Sequence, residues 1–226
     1  MRKITIIFVF VFAFIFAGAS ETLAQYTPGT YTGTAVGKAN KKHNGHIKVE
    51  VTFSETKIED IKVVEYEQSV EHKKYGATST EAKTKIPTQL LAKQALGTDV
   101  VAKATMASNA IELAVAKAIE QATEKKYTPG TYIGEAMGQK NKKHSGHIKV
   151  EVTVSETKIE DINIVEYEQS IDHKKYGKGV TEAKTKIPAD LLTKQSLDIE
   201  TVTKATFASN AIELAVAKAL QQARVK

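Results

Sequence analysis

His46-Ile47-Lys48-Val49-Glu50-Val51-Thr52-Phe53 alternates polar and apolar residues with a period of two. Successive side chains of a strand point to opposite faces, so this pattern predicts a half-buried strand with Ile47, Val49, Val51 and Phe53 turned inward. Ser54-Glu55-Thr56-Lys57 reads as the turn after it, and Ile58 to Tyr66 as its antiparallel partner. Upstream, Tyr31 to Val36 between Gly29 and Gly37 is a third short strand. Downstream the pattern becomes helical. Ile86-Pro87 reads as the opening of a helix carrying Leu90, Leu91 and Leu96, because proline suits the first helical position. Ser108-Asn109 reads as the cap of a longer alanine-rich helix with Ile111, Leu113, Ala114, Val115, Ala118 and Ile119 on its buried side. Asn109 with Glu112 three residues on has the spacing of a capping box. Strands followed by helices predict an α+β unit, a small antiparallel sheet with two helices packed on it.

The same stretch occurs twice. Tyr26–Lys125 returns as Tyr127–Lys226 without insertion, with roughly seven in ten residues identical. YTPGTY recurs unchanged, KKHNGHIKVEVTFSETKIEDI returns as KKHSGHIKVEVTVSETKIEDI, and KATMASNAIELAVAKA as KATFASNAIELAVAKA. A period of about 100 residues is well above that of solenoid repeats, so each copy is a whole small domain. The expected domains are 26–123 and 127–226. Their junction continues a helix into a short polar segment, which predicts that they lie close together.

Residues 1–24 read as a signal peptide. Arg2 and Lys3 precede a nearly unbroken apolar run from Ile4 to Ala17, and small residues follow at Gly18, Ala19, Ser20 and Ala24. Cleavage after Ala19 or Ala24 and retention as a membrane anchor both remain open, the run being close to the shortest that spans a bilayer. Either way the expected location is extracytoplasmic: periplasm, cell envelope or secreted. The absence of cysteine rules out disulfides, thiolate metal sites, iron–sulfur clusters and a cysteine nucleophile. The net charge of +6 is dispersed, with only short clusters such as Lys41-Lys42 and Lys73-Lys74, and arginine is scarce. No nucleic-acid partner is expected from such a surface. His43-x-x-His46 sits beside lysines on a turn that does not bring both rings to one face, so it reads as a solvated loop and no metal site is expected. Hydrolase elbows, Walker loops and dinucleotide fingerprints are missing.

Gln94-Ala95-Leu96-Gly97-Thr98-Asp99-Val100-Val101-Ala102-Lys103-Ala104-Thr105-Met106-Ala107-Ser108, followed by the alanine-rich helix, resembles the signature of the FMN-binding domain family. The family pattern is Gln-Ser, a short spacer, Val-Asp-x-Val-Ser-Gly-Ala-Thr-x-Thr-Ser, then a helix. Gln94, Asp99, Val101, Ala104, Thr105 and Ser108 match it. In the second copy Gln195, Ser196, Ile199, Val202, Thr203, Ala205, Thr206 and Ser209 match, with Glu200 at the aspartate. YTPGTYTGTA, Gly45 and Gly146 before the long strand, and the KIxDI hairpin extend the likeness over nearly all of each repeat.

The resemblance implies FMN as cofactor and a threonine phosphoester, here on Thr105 and Thr206, installed by an exported flavin transferase. It implies a site formed by Lys103, Ala104, Thr105, Ser108 and Asp99, and by Lys204, Ala205, Thr206, Ser209 and Glu200. A phosphate on either threonine would meet unpaired N–H groups at a helix start. The family glycine is replaced by Lys103 and Lys204. A glycine there would suit positive φ, so lysine either hinders covalent attachment or pairs with the flavin phosphate. The family's Glu-Thr pair corresponds here to Gln68-Ser69 and Gln169-Ser170. The basic loop around His43 has a second reading, as positive charge set against the flavin. The function implied is an exported flavoprotein carrying electrons between a membrane donor and an extracytoplasmic acceptor, a redox carrier more than an enzyme with its own substrate. The alternative is a duplicated envelope ligand-binding or structural module that has lost its flavin.

Overall fold

The computed structural model describes residues 25–39 and 42–225. The segment read as a signal, 1–24, and Lys41 lie outside the described residues. Repeat 1 contains strands β1 (Gly29–Val36), β2 (His46–Phe53) and β3 (Ile58–Tyr66), then helices α1 (Gly76–Lys93) and α2 (Thr105–Ala122). Repeat 2 follows with β4 (Gly130–Met137), β5 (His147–Val154), β6 (Ile159–Tyr167), α3 (Gly177–Lys194) and α4 (Thr206–Ala223). Each repeat is α+β, an antiparallel three-stranded meander with the alternating strand at its centre.

Val49 sits opposite Gly33 on one side and Val63 on the other, and Ile47, Val49, Val51 and Phe53 are all buried. The strand boundaries follow the alternation because burying one face of a pleated strand selects its register. Close packing of helix on sheet also needs a missing side chain. A Cβ on Gly33 would stand 1.8 Å from the carbonyl oxygen of Ala114, and one on Gly134 would stand 1.8 Å from that of Ala215. Glycine in the strand therefore lets α2 and α4 lie directly on their sheets.

Both helix starts differ from the sequence expectation. α1 begins at Gly76, so Pro87 lies inside it instead of opening it, and Leu96 falls in the loop beyond. Ser79, Ala82, Ile86 and Leu90 recur at three- and four-residue spacing and form the buried stripe that carries the helix through the proline. α2 begins at Thr105, with Ala104 at its N-cap and no side chain capping it. Ser108 and Asn109 are buried within the helix. The Ser108 hydroxyl accepts from the Val101 N–H (3.0 Å), the Asn109 amide donates to the Met137 carbonyl (2.5 Å), and Glu112 holds the loop before the helix. Tertiary partners took the groups that a local capping box would have used.

α2 is also buried on more than the one face expected, because it touches its own sheet and also α4. Lys117 Nζ lies 3.2 Å from Glu213, and Lys218 Nζ lies 3.5 Å from Glu112. Asn210 donates to the Val36 carbonyl (2.8 Å), mirroring Asn109 and Met137. Each contact recurs with the repeats exchanged, which is the self-complementary pattern of a two-fold dimer realised within one chain.

Candidate functional site

The loop Gly97–Ala104 delivers the chain to the start of α2. Ala104 N–H donates to the Val101 carbonyl (2.9 Å), closing a tight turn in which Lys103 has φ 66°. Its counterpart Lys204 has φ 65°, with Ala205 N–H bonded to the Val202 carbonyl (2.9 Å). The turn therefore keeps the left-handed backbone that a glycine would adopt freely, at a cost of about 1 kcal/mol for a side-chain-bearing residue. Lysine in this position alters the chemistry of the turn without abolishing its shape.

Thr105 is the first residue of α2, and Thr206 the first of α4. Ser108 N–H makes the first helical bond, to the Ala104 carbonyl (2.9 Å). Among the described residues no acceptor meets the N–H groups of Thr105, Met106 or Ala107, and the first turn holds no acidic side chain. These three donors and the positive end of the helix dipole suit an anion bonded to, or resting on, the Thr105 hydroxyl.

They face a cleft of about 1070 Å³ lined by Lys103, Ala104, Thr105, Met106 and Ala107 on one side. Gln68, Ser69, Glu71, His72, Tyr75 and Ser79 form another wall, Lys38 and Lys42 a third, and Gly138, Gln139, Lys140 and Phe207 of repeat 2 close it. Four lysines stand against one carboxylate among these lining residues. Glu71 is itself engaged: His43 Nε2 lies 2.8 Å from it, and that hydrogen bond holds its carboxyl below the usual range. Tyr75 stacks on His72 with ring centroids 4.9 Å apart, and Lys38 Nζ lies 5.3 Å from its ring centre. Aromatic walls, a cationic rim and free helix N–H groups together fit a planar aromatic group carrying a phosphate.

Gln68 explains one departure from the family pattern. It is 3% exposed, its Oε1 accepts from Lys38 N–H (3.1 Å), and its Nε2 donates to the Gly45 carbonyl (2.7 Å). A glutamate has no proton to give Gly45, so only an amide can hold both ends of the loop that carries Lys38 and Lys42. Gln169 makes the same two bonds, to Gln139 and Gly146. Gln94 works similarly at the end of α1: its amide accepts from Ile58 N–H (2.7 Å) and donates to the Ile58 carbonyl (2.9 Å), clamping the helix to β3.

Of the residues singled out from sequence, Lys103, Ala104 and Thr105 come together on the cleft wall. Ser108 lies buried beneath the turn and holds it through Val101. Asp99 is exposed on the preceding loop, its N–H bonded to Gln89 (2.9 Å), and Glu200 is likewise exposed; neither lines this cleft. Lys204, Ala205, Thr206 and Ser209 repeat the turn in the second copy, where the Ser209 hydroxyl accepts from Val202 N–H (3.0 Å). His43 and His46 pair with different carboxylates, Glu71 and Glu65, and among the described residues no group of three or more His, Asp or Glu side chains is arranged to hold a metal ion. Lys38, Tyr75, Lys140 and Phe207 were not legible as site residues, since Lys38 and Tyr75 meet only when repeat 1 folds and Lys140 and Phe207 reach the cleft only when the repeats dock. The one sequence signal was Phe207 itself, the change from KATM to KATF between copies.

The family model described as the FMN-binding domain matches residues 43–120 and again 144–221. The chain therefore belongs to the FMN-binding domain family, in two tandem copies, and is a flavin-binding protein with FMN as its cofactor. None of the curated proteins compared with it matches the chain.

Proposed function

We propose that the protein is an exported electron carrier, working between a membrane donor and an extracytoplasmic acceptor, with FMN held at the start of α2 and α4 through phosphoesters on Thr105 and Thr206. The observation that carries this reading is the placement of Thr105 as the first residue of an uncapped helix, facing a lysine-rich cleft with aromatic walls. FMN, when bound, supplies the electron-transfer chemistry that no side chain of this cysteine-free chain provides.

The protein's own residues do the rest. The Thr105 hydroxyl is where a flavin transferase would join the flavin phosphate, supplied by a flavin dinucleotide whose nucleoside monophosphate leaves as the hydroxyl gives up its proton, and the N–H groups of Thr105, Met106 and Ala107 would receive the phosphate oxygens. Lys103 stands two residues before the threonine, where its ammonium neutralises phosphate charge. Lys38, Lys42 and Lys140 surround the cleft with positive charge, which favours a reduced, more negative ring. Tyr75 and Met106 supply apolar surface that excludes water from it. Among the described residues no helix is long and apolar enough to cross a membrane, so anchoring or export would rest on the segment 1–24.

Intact mass of the exported chain after co-expression with a flavin transferase tests the proposal, with a denaturing gel viewed under ultraviolet light beside it. An added mass of one or two FMN phosphoester units is expected, with fluorescence that survives denaturation. Yellow colour lost on denaturation would replace the phosphoester by non-covalent FMN. A colourless chain of unmodified mass would overturn the carrier reading.

A further inference from the structure

Phe207 belongs to repeat 2, as the second residue of α4, yet it lines the cleft beside Thr105 and Lys103 of repeat 1. Its ring is only half-buried there, whereas most apolar residues of the following helix are fully covered. The crossing follows from how the repeats dock. Asn109 binds the Met137 carbonyl, which seats the start of α2 against the end of β4 and brings Gly138, Gln139 and Lys140 to the same cleft. Met106, the counterpart of Phe207, also lines it, so the cavity straddles the junction between the repeats. A half-buried phenyl ring in the wall of a cationic cleft is suited to a planar aromatic ring, by offset or edge-to-face packing.

We propose that the flavin site of repeat 1 is completed by repeat 2, with Phe207 packing against the isoalloxazine ring of the FMN held at Thr105. This rests on the reading that FMN occupies the cleft. Phe207 is then a binding residue acting across the repeat boundary, and the duplication is a requirement of the site as well as a doubling of it. Tyr75 of repeat 1 provides the aromatic surface on another wall, so the ring is held between groups drawn from both copies.

The test uses the full chain carrying Thr206→Val, co-produced with a flavin transferase so that covalent flavin is confined to Thr105. Loading is read by visible absorbance and intact mass, and folding by the melting temperature. Phe207→Ala and Phe207→Leu are then compared with Phe207→Tyr in that background, using quenching of flavin fluorescence by iodide and visible circular dichroism. With FMN still loaded, the Ala and Leu variants are expected to raise the iodide quenching constant about three-fold as the ring loses one wall, and to weaken the visible dichroism; tyrosine should restore both. Loaded Ala and Leu variants that quench like the parent would overturn the inference and leave the cleft reading intact. A Thr206→Val parent that carries no FMN, while the chain with both threonines does, would overturn the placement of flavin at Thr105 and the inference with it.

Discussion

Glu112 in repeat 1 and its counterpart Glu213 in repeat 2 are both buried where α2 meets α4, and each faces a lysine of the opposite helix. Their surroundings differ by two residues. Glu112 accepts from Gly97 N–H and from the Thr98 hydroxyl (2.7 Å), which stitch the loop to the helix. Repeat 2 has Asp198 and Ile199 in those places. Lys117 Nζ approaches Glu213 to 3.2 Å, but neither carboxylate oxygen has a donor in bonding geometry. Burial pushes the Glu213 carboxyl up to about 7, only partly opposed by Lys117 and reinforced by Asp198. The same glutamate on the same scaffold is thus a satisfied strut in one copy and a strained acid in the other.

The turns before the two helices diverge in the same manner. A Cβ on Gly179 would stand 2.7 Å from the Thr203 carbonyl oxygen, so the start of α3 closes on the turn carrying Lys204. Repeat 1 has Thr78 at that position, whose side chain forbids so close an approach. Ser79 lines its cleft where repeat 2 has Val180. Copies with identical KAT motifs can therefore present unequal sites.

The most drastic way to separate the copies is to remove one attachment point at a time. Thr105→Val and Thr206→Val each keep β-branching and lose the hydroxyl, and each should lower covalent flavin by one equivalent, read by intact mass. Full content in both variants would sink the phosphoester assignment. Gly33→Ala and Gly134→Ala should each destabilise by about 3 kcal/mol or more, because the new methyl meets a helix carbonyl that cannot step aside. Equal losses by denaturant melting are expected; damage from only one would break the equivalence of the two helix-on-sheet contacts.

The buried glutamates should respond oppositely. Glu213 has a folded-state pKa above its unfolded one, so its proton is bound more tightly by the folded chain. No stability is lost while both states are protonated; as pH rises from the ordinary carboxylate range through about 7, about 3 kcal/mol is lost, and the loss levels off above that. Glu213→Gln should flatten this slope in melting temperature between pH 4.5 and 7.5. Ile199→Thr should flatten it as well, by lending Glu213 the hydroxyl that Thr98 gives Glu112. Glu112→Gln should instead weaken the fold by about 1–2 kcal/mol, since an amide nitrogen would face the donors of Gly97 or Thr98. A persistent slope in Glu213→Gln would show that another group carries it. The smallest effect is expected at the turns: Lys103→Gly and Lys204→Gly should each stabilise by about 1 kcal/mol or less by relieving the left-handed backbone, and each should lower the share of chains that become loaded with FMN, read by intact mass. Fuller loading in either glycine variant would contradict a phosphate-binding role for the lysine.

The sheet was legible almost to the residue. Alternation at 46–53, a polar turn at 54–57 and glycine at 29 and 37 bounded strands that the fold reproduces, because a two-residue period leaves few other ways to bury Ile47, Val49 and Val51. The helix starts were not. Pro87 looked like an opening residue and Asn109 like a cap, since local rules assign such groups to their nearest backbone partners. In the fold those partners lie elsewhere: Asn109 reaches Met137 across the repeat boundary, and the stripe from Ser79 to Leu90 runs a helix through the proline. At the site, Thr105 and Lys103 could be picked out because they are contiguous in a motif, and Tyr75, Lys38 and Phe207 could not, because no spacing links them.

The sequence by itself determined the duplication, the strand faces and the α+β class, because repetition and alternation are read along the chain without knowing what packs on what. Only the tertiary structure decided that α2 and α4 are buried on two sides, that Glu213 lacks the donors Glu112 has, and that one cleft draws its walls from both repeats. The physical reason is that packing sets these features: docking of one copy on the other covers α2 and α4 and closes the cleft, and a buried carboxylate is satisfied or left wanting by loop residues 14 and 15 positions before it.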